Sequence, residues 1–470
     1  MDPEKTKRLK SIKILVSEAL MVFIVIITVV ILALIVSGYW VNSDFQVERQ
    51  GMLQVSSTPT GASVVIDGES SWLQRTNTSK VLASGEHNVT LTKEGYDSWS
   101  KTINVAEGLL YRLHYPRLFL IDRTVEKYHY LPDATQAIIS PDHDLLLVTN
   151  KTTNWLLINL AEESPKPREI DISSLFQSVD MAPESKIGLF TANIVDADWD
   201  HDETHILFEA QNDNITEWVL LDVRNPQNSI NLSREFGGLF SDIEILDNSA
   251  NNLLAIQNGN LHKIDVSGKS ISAVLVDNIV EFDHYENELI YLANKSEEPS
   301  TPAYEVGLMK LGDNNRTSIL NTVQPAKVAL SKFYDKKYIS ILKENTLSLY
   351  DKNNLDDRKD FVLSFVPNSL KIGHNGEFII MTNGNQMAVV DMEANDVVEW
   401  AIEGEQYGWL DNDMLYTVTD GNLIVYDYDG LNRRELAKNV SNHFPVTITE
   451  NKWLYYFSDD YIMREWLISR

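Results

Sequence analysis

The 470-residue chain contains no cysteine. That absence excludes disulfides, thiolate metal centres, cysteine nucleophiles and lipid attachment through an N-terminal cysteine. Catalytic signatures are missing too. There is no Gly-x-Ser-x-Gly elbow, no His-Glu-x-x-His pair, no P-loop and no glycine-rich dinucleotide fingerprint. Basic residues are scarce, 40 Lys and Arg against 68 Asp and Glu. A chain this acidic lacks the basic footprint that phosphate backbones require, which excludes nucleic acid as a partner. It is also poorly suited to lying flat on anionic lipid. The simplest use of the charge is solubility through mutual repulsion. A large cysteine-free acidic chain fits a bacterial envelope better than a disulfide-dependent secreted domain.

What is present begins with one apolar run. Ala19 to Val41 carries no charged residue. As a helix of about 1.5 Å per residue it would span roughly 34 Å, enough for a hydrocarbon core of about 30 Å. Lys5, Lys7, Arg8, Lys10 and Lys13 precede it, and Asp44, Glu48 and Arg49 follow. The positive-inside rule then places the N-terminus in the cytoplasm and the rest outside. A cleaved signal peptide needs a shorter core and a small-x-small site, whereas Ser37-Gly38 is followed by bulky Tyr39 and Trp40. The expectation is an uncleaved signal anchor, a single transmembrane helix over 19–41, behind a basic tail at 1–18 and before a polar stalk at 42–50. The helix has no Gly-x-x-x-Gly pair and so offers no dimerisation signal.

Short β-rich runs follow at 52–56, 62–66, 87–92 and 99–105. Pro59-Thr60-Gly61, Asp67-Gly68, Gly85-Glu86 and Gly95-Tyr96 punctuate them as turns. With Gly51, Val55, Ala62, Val64, Ile66, His87, Val89 and Leu91 at their spacing, 51–108 resembles the PEGA domain. That resemblance implies a small β-sandwich-like module of bacterial and archaeal surface proteins, with non-covalent contacts and no catalytic position. The name-giving tetrapeptide reads Pro-Thr-Gly-Ala here. Thr78-Ser79 stands where the family has a central Thr-Pro, so a loop of different shape is expected there.

From 117 to the end a loose repeat recurs at roughly 36–60 residues: an Asp- or Asn-rich turn, a strong β run, a polar turn and a second β run. The strong runs begin near Leu145, His205, Leu253, Leu289, Tyr338, Phe378, Met414 and Trp453. This period predicts a β-propeller of eight or seven blades. The last unit has little room for an outer strand, so the segment from Arg117 to Tyr130 is expected to supply it and remove the open edge. The turns at Ser140–Asp142 and Asp198–Asp202 resemble blade starts of Tol-type periplasmic propellers, a likeness in the repeat only. The fold class is thus an all-β ectodomain, a PEGA-like β-sandwich plus propeller, behind one transmembrane α-helix.

Sites are few. Asp198, Asp200 and Asp202 alternate and Glu209 lies eleven residues after the first, as in an EF-hand loop. Glu203 occupies the position where that loop needs glycine, and a strand rather than a helix follows. A solvated blade turn explains the same residues, Asp196 included. His143, His201 and His374 occupy similar turns, where histidine tolerates the turn geometry; the alternative is a His-lined rim on one face of the ring. Trp155, Trp199, Trp218, Trp409, Trp453 and Trp466 recur at predicted strands, where most would pack between blades. No catalytic residue and no cofactor are assigned. The expected function is a non-enzymatic, membrane-anchored binding or scaffold unit for an envelope protein or a cell-wall glycan. The rival is a propeller glycosidase or lyase, whose mark would be buried carboxylates converging on the axis without Lys or Arg partners. A third reading, a scaffold stabilised by divalent cations, would show as calcium-dependent melting.

Overall fold

The computed structural model describes every residue except 1–17, 19, 34–38, 42–46, 151–153, 173–174, 176–192, 213–214, 247–248, 297, 299–300, 314, 374–375, 405 and 469–470. The chain divides into two units, Met1–Ile121 and Asp122–Arg470. In the first, residues 20–33 are helical and every side chain of that helix is exposed. Thr28, its one polar residue, donates its hydroxyl to the Ile24 carbonyl at 2.8 Å. The helix is about 21 Å long, and no helix among the described residues is long and apolar enough to cross a membrane. Residues 19 and 34–38 of the expected span lie outside the described residues. Its last three residues are corrected, because Tyr39–Val41 is a strand paired antiparallel with Val47–Arg49. Two aromatics and a β-branched residue after Ser37-Gly38 favour extended backbone over helix. The expected stalk shrinks likewise, since Val47–Gln50 opens the strand Val47–Val55.

The rest of this unit is two four-stranded sheets. One joins Tyr39–Val41, Val47–Val55 and Thr78–Ala83, with Leu110–Leu113 parallel to Val47–Val55. The other runs Glu69–Arg75, Ser63–Ile66, Gly85–Thr92, Trp99–Val105. Alternate residues of both sheets are buried, among them Leu53, Val55, Val64, Ile66, Val89, Leu91, Trp99, Ile103 and Leu113, the period-2 pattern of a sandwich core. Asp67 and Gly68 both take positive φ, 53° and 79°, as a two-residue hairpin requires. At Gly51 a Cβ would lie 2.4 Å from Val105 and 2.5 Å from the Ala106 carbonyl, so only glycine lets these strands pass. Two expectations are corrected. Thr78-Ser79 begins a strand and not a loop. Arg117 and Leu120 bridge to Thr58 and Tyr96, so that segment belongs to this unit and not to the propeller.

The second unit is a ring of eight four-stranded antiparallel sheets. All eight strong β runs of the repeat are second strands of their sheets. The first strands are Ala134–Ile139, Asn193–Trp199, Phe240–Ile245, Ile279–Tyr285, Lys327–Phe333, Ser369–Ile372, Gln406–Trp409 and Thr447–Thr449, for blades 1 to 8. Blade 8 takes its outer strand from Val125–Tyr130, which pairs with Tyr461–Glu465. The first and last strands of this unit thereby close the ring, which has eight blades rather than seven among the described residues. Apolar clusters fill the seams. Leu147, Trp155 and Ile170 of blade 1 pack with Trp199, Ile206 and Phe208 of blade 2, and blade 8 returns to blade 1 through Trp453, Tyr455, Leu146 and Val148. Arg123 pins the closure, donating to the Glu465 carboxylate in blade 8 at 2.9 Å and to the Leu436 carbonyl in blade 7.

Candidate functional site

The first strand of each sheet presents its free edge to the ring's axis. Unpaired N–H groups there need acceptors. Side chains of blades 1 and 4 supply such acceptors, and blades 1 to 4 share one local device. Each first strand carries an irregularity of register, between Ala134 and Gln136, Ile194 and Asp196, Phe240 and Asp242, and Ile279 and Glu281. A bulge re-aims the side chain that follows it. The Gln136 amide accordingly brackets the backbone of Ile194 in the next blade, donating to its carbonyl and accepting from its N–H, each at 2.9 Å. In blade 4, Asp283 accepts from the Leu330 N–H of blade 5 at 2.7 Å, and Glu281 accepts from Lys327 Nζ at 3.2 Å.

In blades 2, 3 and 4 the re-aimed residue and the one two further on are both acidic: Asp196 and Asp198, Asp242 and Glu244, Glu281 and Asp283. All but Asp196 face a cavity of about 740 Å³ on the axis, whose other wall includes Val328, Leu330, Lys332, Leu370, Lys371 and Ile372. His284 joins them, its Nδ1 3.2 Å from Glu244 Oε2. Protonation follows the crowding. Burial, with the neighbouring Asp196 charge, pushes Asp242 up to about 6. Burial, with the Glu244 charge, pushes Asp283 up to about 7. Burial also raises Glu244, Asp198, Glu281 and Glu209. Neighbouring like charges add to burial at Asp198, Asp242, Glu244, Asp283 and Glu209, and so disfavour their ionisation.

The residues singled out in the sequence separate. Asp198 lies on the funnel wall at the end of the blade 2 first strand. Asp200 is buried in the following turn, accepting from the Thr204 and His205 N–H groups at 2.7 and 2.8 Å and from the Thr204 hydroxyl at 2.7 Å. Asp202 is exposed in that turn, and Glu209 stands on the second strand opposite Asp196. Among the described residues these four form no ligand group, which corrects the EF-hand reading. The hairpin spreads residues that a 12-residue loop would gather. His143 takes positive φ and its Nδ1 is 2.6 Å from the Thr447 hydroxyl. His201 is exposed, and His374 lies outside the described residues. Trp155, Trp199, Trp218 and Trp453 are buried, while Trp409 stacks on Phe378 and Trp466 packs edge-on against Trp453. Asp242, Glu244, Glu281, Asp283 and His284 were not singled out. Their signal is acid–apolar–acid at one phase of three successive repeats: Asp-Ala-Asp, Asp-Ile-Glu and Glu-Phe-Asp.

The Asp200 turn gives a pH prediction. Burial works to raise this carboxyl, but hydrogen bonds from His205 and Thr204 outweigh it and hold it at about 2. Its stabilising share is present above the unfolded value of about 3.9 and is lost as pH falls through about 2. Denaturant midpoints measured from pH 5 to pH 2 should fall less steeply in Asp200→Asn than in the parent. The difference expected is on the order of 2 kcal/mol. Identical slopes would mean the turn contributes nothing.

Comparison with known proteins adds the following. Residues 50–116 match the PEGA domain family. No protein of curated function matches the chain in sequence. Among solved structures, an oligogalacturonate lyase in complex with manganese is 13% identical with a TM-score of 0.38, covering 58% of this chain and 88% of its own. An oligogalacturonate lyase from Vibrio parahaemolyticus is 10% identical with a TM-score of 0.42, covering 73% and 98%. Hsv2 of Kluyveromyces lactis is 10% identical with a TM-score of 0.42, covering 65% and 98%. Likeness this distant says nothing of substrate or metal. The protein pairs a PEGA-type β module with an eight-bladed propeller that carries an acidic axial funnel.

Proposed function

We propose that the chain is a membrane-anchored envelope protein whose PEGA module and propeller form a non-enzymatic binding unit, with the acidic funnel receiving a cationic group of a protein or cell-wall partner. The observation that carries this reading is the run of five carboxyl side chains, Asp198, Asp242, Glu244, Glu281 and Asp283, on three adjacent first strands facing one cavity. A concave wall on which carboxyl groups outnumber the lysines Lys332 and Lys371 attracts cations. The exposed apolar helix at 20–33 supports anchoring, with its Thr28 hydroxyl satisfied inside the helix as a lipid environment demands. The tail would lie in the cytoplasm and both β units outside.

A second reading is favoured by one observation. Ligand oxygens of Glu244 and Asp283 lie within 4.8 Å of each other, and among the described residues neither has a Lys or Arg ion pair, which is the mark set out above for a carboxylate enzyme. An acidic funnel of this kind would repel polyuronates, so a neutral or amino-bearing glycan would be the substrate. The deciding experiment crosslinks the full-length protein in its native membranes, maps the crosslinked sites, and repeats the capture with Asp198→Lys. A partner joined at the funnel and lost in the variant supports the binding reading. A partner retained by the variant removes the funnel from it. Turnover of an amino-glycan by the parent, abolished in Glu244→Gln, would establish the enzyme instead.

A further inference from the structure

We propose that Glu244, Asp283 and His284 hold a divalent first-row transition-metal ion on the funnel wall, where blades 3 and 4 meet. One ligand atom from each, two carboxylate oxygens and an imidazole nitrogen, lies within 4.8 Å of the others. Metal bonds of about 2.0–2.3 Å place ligand atoms about 3–4.5 Å apart, so the three need only small side-chain adjustments to share one ion. They are drawn from two blades, with Glu244 on the first strand of blade 3 and Asp283 and His284 on that of blade 4. The backbone rather than a mobile loop holds them. Asp283 is further fixed by the N–H groups of Leu330 and His284, both at 2.7 Å.

A second, independent feature points the same way. The hydroxyl of Ser331 on the neighbouring first strand is buried, at 2% exposure, and has no hydrogen-bond partner in the protein. Ser331 lines the same cavity. A buried hydroxyl left without a partner is costly unless a ligand or its water shell supplies one. The imidazole decides the class of ion. Calcium and magnesium prefer oxygen-only shells, whereas manganese, zinc, cobalt and nickel accept one nitrogen with two carboxylates. Three protein ligands leave coordination positions open toward the cavity. The ion would then offer a partner's hydroxyl or carboxylate an anchor on a wall that otherwise repels it. This deepens the funnel-binding reading and rests on it only for its purpose, not for the site itself.

The test uses the full chain in mild detergent, stripped with a chelator and titrated separately with Mn²⁺, Zn²⁺ and Ca²⁺, by electron spin resonance for Mn²⁺ and calorimetry for the others. One Mn²⁺ or Zn²⁺ per chain is expected, with Ca²⁺ at least about tenfold weaker. His284→Ala and Glu244→Gln should each weaken Mn²⁺ binding at least about tenfold. Asp202→Asn, in the exposed turn, should leave it unchanged. Circular dichroism melts of each variant identify any that fail to fold, and Glu244→Gln, which preserves shape, keeps the test decisive if His284→Ala does. No saturation below about 1 mM, Ca²⁺ binding as tight as Mn²⁺, or binding indifferent to both ligand variants would overturn the proposal. Failure of partner capture with Mn²⁺ still bound would sink the binding reading and leave the metal site standing.

Discussion

Glu465→Ala is expected to cost the propeller about 3–5 kcal/mol, the range for removing one member of a buried ion pair. Glu465 is 3% exposed and accepts from Arg123 Nε at 2.9 Å and from the Tyr456 hydroxyl at 2.8 Å. Truncation leaves a largely buried guanidinium and a buried phenol without their shared acceptor. The site lies where Val125–Tyr130 completes blade 8, so the loss falls on the contact that closes the ring. Glu465→Gln keeps the shape and one acceptor oxygen, which can still receive Arg123 while the amide NH2 donates to the Tyr456 hydroxyl oxygen, and should cost less than the alanine. Urea denaturation followed by tryptophan fluorescence measures the difference. A loss under about 1 kcal/mol for the alanine variant would mean that strand pairing alone closes the ring.

Trp99→Ala is expected to unfold the first unit while leaving the propeller intact. Trp99 is fully buried and meets Tyr115 edge to face at 6.1 Å. Losing a buried tryptophan costs about 3–5 kcal/mol, most of what a β module of this size has to spare. Hydrogen exchange resolved by peptide gives the readout. Segments between Val47 and Leu113 should exchange rapidly in the variant, and blade segments such as Leu253–Gln257 should keep their protection. Met52→Ala, on an exposed side chain of the other sheet of this unit, serves as the control and should be nearly neutral. Protection lost in both units would show that they fold as one.

The blades were legible because their second strands are the most continuous apolar runs of the second unit, and a strand buried on both faces has to read that way. The closing strand was legible by elimination, since the last repeat ran out of chain. Its position was misjudged by a few residues, because Arg117–Leu120 has the same β-rich look as Val125–Tyr130 and only pairing distinguishes them. The funnel was harder to see. Asp196 and Asp198 stood out beside Asp200 and Asp202 because neighbours in sequence are easy to notice. Their true companions, Asp242, Glu244, Glu281 and Asp283, lie one and two repeats away. Three bulges bring them into phase, and no local pattern announces a bulge. The helix at 20–33 was legible from composition, whereas the strand at Tyr39–Val41 was hidden because apolar residues serve a helix end and a sheet edge equally well.

The way the ring closes has a mechanical consequence. The chain enters the propeller at Asp122 and is knotted into blade 8 within a few residues, at Arg123 and Val125–Tyr130. Any tension arriving along the chain from the first unit is borne first by that pairing and by the Arg123 clasp. The seam that makes the disc continuous is thus also its weakest point under load, and a pull strong enough to peel it would open the ring at blade 8 before disturbing the acidic wall across the axis.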